Sequence, residues 1–104
     1  MREYLLSDKA DADLIAVARY TARRWGASQV RTYQRQLERC FAGVAGGTAH
    51  VTRITLRQGQ YLRHRCRHHQ ILAVKDGARL LIVGIFHARA NSLERLSIRS
   101  GKQQ

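Results

Sequence analysis

A chain of 104 residues is long enough for one domain with one core, and its 44% share of apolar residues argues against disorder. Nineteen Lys and Arg face seven Asp and Glu, and the resulting formal charge of +12 indicates a polyanionic partner, either nucleic acid or an acidic protein. The longest apolar run, Leu80 to Phe86, is too short to cross a membrane, and we expect no secretory signal, because Tyr4-Leu5-Leu6 is too short for its apolar core. We therefore expect one cytoplasmic domain over residues 1–104 without membrane association.

The spacing of apolar residues predicts a helical hairpin near the N-terminus. Residues 2–6 should form a short strand, and Ser7 should cap a helix over 8–25, where apolar residues recur at helical spacing. After a short connection, Ser28 should cap a second helix over roughly 29–45. Because the connection is so short, the two helices should be antiparallel neighbours.

The second half of the chain predicts strands. Residues 48–59 are ambiguous, with a possible extended piece at 53–56, and three strands should follow over 61–67, 71–75 and 78–87. Asp76-Gly77 is a hairpin signal between the last two. The last strand is apolar on both faces, so it should be central, with the first strand as its neighbour. The order β-α-α-β-β-β predicts an α+β fold, with the helical hairpin packed on one face of a mainly antiparallel sheet.

Two rows of arginine are candidate contacts for a polyanion. Arg31, Arg35 and Arg39 share one face of the second helix, although like charges at this spacing repel. Arg63, Arg65 and Arg67 share one face of a predicted strand about 7 Å apart, near the phosphate spacing of an extended nucleic acid. The alternatives are an ordinary solvated helix face and charges that protect an edge strand from aggregation. We predict partner binding for both rows.

The cysteines and histidines predict neither a metal site nor a cofactor. Two cysteines, Cys40 and Cys66, are too few for a disulfide framework and lie at apolar positions, so we expect free buried thiols in a reducing compartment. His64, Cys66 and His68 should share a strand face, but three ligands opposite a row of arginines suit zinc poorly. These histidines and His69 are best interpreted as solvated turn residues. The alternative is that they act as acid and base in phosphodiester cleavage without a metal.

Motifs typical of the common enzyme classes do not occur in the sequence. There is no glycine-rich phosphate loop, serine nucleophile elbow or Cys-x-x-Cys pair, and Asp76 is the lone carboxylate between Glu38 and Glu94. Paired-carboxylate catalysis is therefore improbable. The sequence favours binding over catalysis.

The order of short motifs resembles the ParE branch of the ParE/RelE toxin superfamily. The stretch Tyr4–Ser7, then Ala12-Asp13-Leu14, then IAVARYTARRWG at 15–26 is similar to the N-terminal half of that branch. The likeness continues through the second helix and through the apolar strand after Asp76-Gly77, which ends in IFHAR at 85–89. It covers about residues 3–96, and it implies the fold described above.

The resemblance implies the toxin of a type II toxin–antitoxin module. Toxins of the ParE branch bind and poison DNA gyrase without hydrolysis, and a cognate antitoxin with an acidic, partly disordered segment holds them in a hetero-oligomer. Arg89 lies after the last strand, at a position that the resemblance adds to the partner-binding residues. The alternative is a RelE-like endonuclease that cuts messenger RNA on the ribosome. In that case the candidate catalytic residues here would be Arg63, His64, Arg65, His87 and Arg89.

The antitoxin should dock in the groove beside the helical hairpin and on the outer face of the last strand. That strand is apolar on both faces, whereas the two helices can cover only one of them. The tail, with Leu93, Leu96 and Ile98, should cover part of the remaining face. An acidic amphipathic segment would cover the rest and neutralise the strand arginines.

Overall fold

The computed structural model describes residues 3–57 and 59–88. Its elements are β1 (Tyr4–Leu6), α1 (Asp8–Trp25), α2 (Ser28–Gly46), β2 (Thr52–Leu56), β3 (Gly59–Cys66), β4 (His69–Asp76) and β5 (Arg79–His87). The α+β class, the helical hairpin and the helix over 8–25 are confirmed. The ambiguous stretch contains a full strand, β2, so the order is β-α-α-β-β-β-β rather than the predicted β-α-α-β-β-β.

The five strands form one sheet in the order β1-β5-β4-β3-β2. β1 runs parallel to β5, with Leu5 opposite Leu81, and the other neighbours are antiparallel. The predicted pairing of the first strand with the last is confirmed, and it gives β5 a strand neighbour on each side from Leu80 to Ile82. Side chains of one sheet face pack with the helices in a core that includes Leu37, Phe41, Ile71 and Ile82.

Local signals explain how α1 begins and ends. The Ser7 hydroxyl accepts a hydrogen bond from the Ala10 N–H at 3.1 Å, as an N-cap should. Gly26 ends the helix with a positive φ of 97° while its N–H bonds to the Ala22 carbonyl. The prediction that Ser28 caps α2 is wrong. The backbone is already helical at Ala27, so Ser28 is the first residue inside the helix.

The β4–β5 hairpin turns one residue later than predicted. Asp76 pairs with Arg79, which leaves Gly77 and Ala78 as the loop, and Gly77 supplies the positive φ of 63°. The register shifts farther along, where Leu72 lies opposite Gly84 and Ala73 lies opposite Ile82. Val83 is thus an extra residue in β5.

β1 pairs with β5 only as far as Ile82. Beyond the register shift, a side chain of α1 binds the edge of β5 instead. The Asp13 carboxylate accepts a hydrogen bond from the Ile85 N–H at 3.0 Å and pairs with the Lys9 ammonium at 2.7 Å. The same carboxylate oxygen would lie 3.6 Å from a Cβ added at Gly84. A helix side chain therefore satisfies a backbone donor that a neighbouring strand would otherwise bind.

The two cysteines are joined in a disulfide, so the expectation of free thiols is wrong. Cys40 of α2 and Cys66 of β3 bond with their Cα atoms 6.3 Å apart. A cysteine count does not reveal that α2 packs across β3 and places these two side chains opposite each other. The bond ties the helical hairpin to the sheet.

Reduction of this disulfide should lower the free energy of unfolding. The bond closes a loop with a sequence separation of 26 residues. The chain-entropy model for a loop of this length gives a stabilisation of about 3.5 kcal/mol. Urea unfolding with and without reductant measures the difference, with thiol titration to confirm reduction. The Cys40→Ala/Cys66→Ala variant should unfold alike under both conditions. Equal midpoints for the oxidised and reduced native chain would contradict the assignment.

Candidate functional site

The outer face of the sheet, which is turned away from the helices, carries a row of apolar side chains. Leu5 of β1 pairs with Leu81 of β5, and Leu81 pairs with Val74 of β4, so the three lie side by side. Leu5 is 46% exposed, and the other two are half-buried. An accessible apolar row of this kind is typical of a surface that binds a partner.

Arg63 and Arg65 of β3 lie on the same outer face. Arg63 pairs with Leu72 and Arg65 with Gln70, while the alternate residue Cys66 points into the core beneath the helices. Arg65 is exposed and Arg63 is half-buried. The outer face therefore combines apolar contact area with two guanidinium groups. Arg89 and the tail residues Leu93, Leu96 and Ile98, which were expected to cover part of this face, lie outside the described residues.

Arg67 is not part of this row, which corrects the predicted row of three. β3 ends at Cys66, which pairs with His69, so Arg67 and His68 form the β3–β4 turn. Arg67 has a left-handed backbone with φ of 57°. The run from His64 to Gln70 contains no Gly, Pro or Asn, so the sequence carries no signal for this turn.

The helix row is confirmed as an exposed face of α2. Arg31, Arg35 and Arg39 are all exposed on it. Because α2 packs on the opposite face of the sheet from Arg63 and Arg65, the two rows form separate cationic surfaces. A partner that lies flat against one of these surfaces therefore cannot contact both rows.

The histidines do not form the cluster that strand alternation predicted. His64 and Cys66 share the helix-facing side of β3, but His68 lies in the turn. The His64 Nδ1 is 2.6 Å from the His50 carbonyl oxygen and donates its proton there. No group of three or more His, Cys, Asp or Glu residues that could hold a metal occurs in residues 3–57 and 59–88.

His69 is buried against Tyr33, which corrects its interpretation as a solvated turn residue. It is 6% exposed, and its Nδ1 lies 2.5 Å from the Tyr33 hydroxyl. The same hydroxyl accepts a hydrogen bond from the His68 N–H at 3.2 Å, so α2 holds the β3–β4 turn at two points. Alternation with Ile71 and Ala73 was the signal that could have placed His69 on the buried face.

The environment of His69 favours its neutral form. Burial, followed by the neighbouring His87 and His68, lowers the pKa of His69 to about 4 from an ordinary value of 6.5. The His87 ring stands edge-on to it, with the ring centroids 5.4 Å apart. Burial also raises the pKa of Tyr33, against the opposing effects of the His68 N–H and Arg67. The pair is therefore uncharged near neutral pH.

A cavity of about 540 Å³ opens beside this pair, between the tip of the helical hairpin and the β3–β4 turn. The described residues around it are polar or aromatic. They are Tyr20, Thr21, Arg24, Trp25, Gln29, Thr32, Tyr33, Gln36, Arg67, His68, His69 and His87. No pattern in the sequence predicts this cavity, because its walls come from separate elements that meet only in the folded chain.

The structure also separates the residues proposed for RNA cleavage. Arg63 and Arg65 lie on the outer face, whereas His64 and His87 lie on the face that the helices cover. For these four residues, the sheet stands between the guanidinium groups and the imidazoles. The described members of the set therefore do not converge on one reacting phosphate.

Known proteins resemble this chain over most of its length. Residues 4–91 match the family described as the ParE toxin of the type II toxin–antitoxin system, parDE. The chain belongs to the ParE toxin family. It is 36% identical over 100 residues to Toxin ParE from Escherichia coli, a match that spans 95% of this chain and 97% of that protein. The ParE resemblance found in the sequence is thereby confirmed.

The ParE fold is also shared with a solved structure. The chromosomal ParDE TA system from P. aeruginosa contains a chain that superposes with a TM-score of 0.60, covering 86% of this chain and 98% of that one. The two are 17% identical, so the likeness shows the fold. Within the described residues, no helix of this ParE-family chain is long and apolar enough to span a membrane.

Acid should destabilise the ParE fold through His69. Its pKa is about 4 when folded and 6.5 when free, so the folded state binds this proton less readily than the unfolded state does. The free energy of unfolding should fall as the pH drops from about 6.5 towards 4. Urea unfolding across this range, compared with His69→Gln, isolates the effect. His50→Gln removes an exposed histidine that does not act on His69 and should keep the native pH profile. A His69→Gln profile identical to that of the native chain would contradict this assignment.

Proposed function

We propose that this chain is a cytoplasmic toxin that poisons DNA gyrase by binding it, and that a cognate antitoxin holds it inactive. Membership of the ParE family supports the toxin role. The gyrase target follows from the resemblance to the ParE branch. The observation that favours binding over RNA cleavage is the division of the candidate catalytic residues between two faces of the sheet.

The purified chain should inhibit supercoiling by DNA gyrase and convert plasmid to the linear form after protein denaturation. Linear plasmid is the expected product if the toxin traps the state in which gyrase has cut both strands. The assay contains gyrase, relaxed plasmid, ATP and micromolar toxin, and a parallel reaction without gyrase controls for contaminating nuclease. Unchanged supercoiling together with no linear product would overturn the gyrase assignment.

The antitoxin should bind the outer face of the sheet. An acidic amphipathic segment would cover the apolar row Leu5, Leu81 and Val74 and place its carboxylates beside Arg63 and Arg65. Binding of this kind combines burial of apolar area with an ionic component that salt weakens. Coverage of this face would then block access of the toxin to its target.

Arg63→Ser/Arg65→Ser should weaken antitoxin binding by roughly tenfold, since each exposed ion pair contributes up to about 1 kcal/mol. The salt dependence of the affinity should also become flatter. Arg31→Ser/Arg35→Ser is the matched control, because it removes the same charge from the helix face. Calorimetry at two salt concentrations measures both effects. An equal loss in the two variants would mean that net charge, rather than the outer face, governs binding.

A further inference from the structure

The cavity at the hairpin tip lies on the helix side of the sheet, away from the outer face to which the antitoxin contact is assigned. Its volume of about 540 Å³ falls within the ~300–1,000 Å³ that is usual for small-molecule sites. The end of α1, the beginning of α2, the β3–β4 turn and the end of β5 all contribute to its wall. The Tyr33 hydroxyl fixes the turn, so this wall is held in place.

Large aromatic side chains lie exposed at this cavity. Trp25 is 56% exposed and Tyr20 is 43% exposed, although both line the space. In the same wall, the rings of Tyr33 and His68 are nearly parallel, with an interplanar angle of 17°. Exposed aromatic faces stack well with planar ligands, and each nucleic-acid base offers such a face.

Two guanidinium groups complete the site. Arg24 lies over the Trp25 ring at 4.8 Å, and Arg67 belongs to the turn. A left-handed backbone is costly for Arg67, and strained residues of this kind cluster at binding sites. No carboxylate occurs among the described residues that line the cavity, so its charge favours an anion. Arginine suits phosphate in particular, because its planar fork donates two parallel hydrogen bonds.

We propose that this cavity binds a nucleotide. The base stacks on Trp25, and the phosphate pairs with Arg24 and Arg67. Gln29, Thr32 and Gln36 offer donors and acceptors that match the polar edge of a base. The proposal is independent of the gyrase assignment, and it is tested on the lone chain.

A nucleotide fits this site better than an acidic peptide does. An acidic peptide carries its charges along an extended chain. Among the described residues of this wall, the arginines are only Arg24 and Arg67, and both lie beside aromatic rings. A nucleotide brings one planar group and one phosphate, which is the pairing that the wall offers. The ligand could be a free nucleotide or an unpaired nucleotide within a single strand, and the experiment distinguishes these sources.

Fluorescence of Trp25 provides a local readout, because this is the single tryptophan of the chain. Adenosine 5′-monophosphate should quench it saturably, adenosine more weakly, and inorganic phosphate should compete without quenching. A short oligodeoxyadenylate at equal nucleotide concentration is the second arm. Tighter binding of the oligonucleotide identifies a single strand as the source, and equal binding identifies the free nucleotide.

Variants distinguish binding at this site from nonspecific attraction to the basic surface. Arg24→Gln and Arg67→Gln should each weaken binding of the monophosphate by about tenfold, because each removes a charge-assisted hydrogen bond. Arg53→Gln removes the same charge from an exposed position of β2, outside the cavity wall, and should bind as the native chain does. Arg67→Gly should also weaken binding, yet it should not lower the urea midpoint, because glycine tolerates the left-handed backbone.

Calorimetry provides a second readout that does not depend on Trp25. No saturable signal by either method at millimolar monophosphate would overturn the proposal. The same is true if Arg53→Gln loses as much affinity as Arg67→Gln, which would indicate nonspecific attraction to the basic surface. Quenching by an acidic peptide but not by the nucleotide would assign the cavity to a protein ligand instead.

Discussion

The two helices pack on one face of the five-stranded sheet, and this one-sided arrangement decides which side chains can act together. Alternation along β3 sends Arg63 and Arg65 to the outer face, while His64 and Cys66 face the helices. A single strand thus supplies two surfaces of different chemistry. The outer face offers cations beside an apolar row and suits an acidic, amphipathic chain. The helix-facing side carries the aromatic cavity near the β3–β4 turn, and this cavity suits a compact planar anion.

Three contacts hold this arrangement at places where the sheet alone would be weak. The Asp13 carboxylate binds the Ile85 N–H where β1 has ended, so α1 completes the edge of β5. Tyr33 holds the β3–β4 turn through His68 and His69. The disulfide joins α2 to β3. Each contact links a helix to a strand distant in sequence, so the position of the helices and the shape of the cavity depend on the same few side chains.

Periodicity was sufficient to predict the helical hairpin, the pairing of the first and last strands and the exposed row of arginines on α2. These features depend on patterns that repeat along one element. The sequence does not predict the turn at Arg67, because the residues there carry no turn signal. It does not predict the disulfide either, because that bond depends on how α2 crosses β3. The cavity was missed for the same reason, since helix tip and turn meet only in three dimensions. Strand alternation placed Arg63 and Arg65 correctly on one face, but it could not show that the sheet separates them from His87.

We propose that this toxin acts by binding rather than by cutting RNA, because the sheet lies between Arg63 and Arg65 on one face and His64 and His87 on the other. The most direct test is to express the lone chain briefly in cells, map transcript 5′ ends across the transcriptome and follow a DNA-damage reporter in the same culture. If the toxin acts by binding, the damage response should rise early while the pattern of 5′ ends stays unchanged. New 5′ ends within translated regions, in phase with codons and ahead of any damage response, would contradict it.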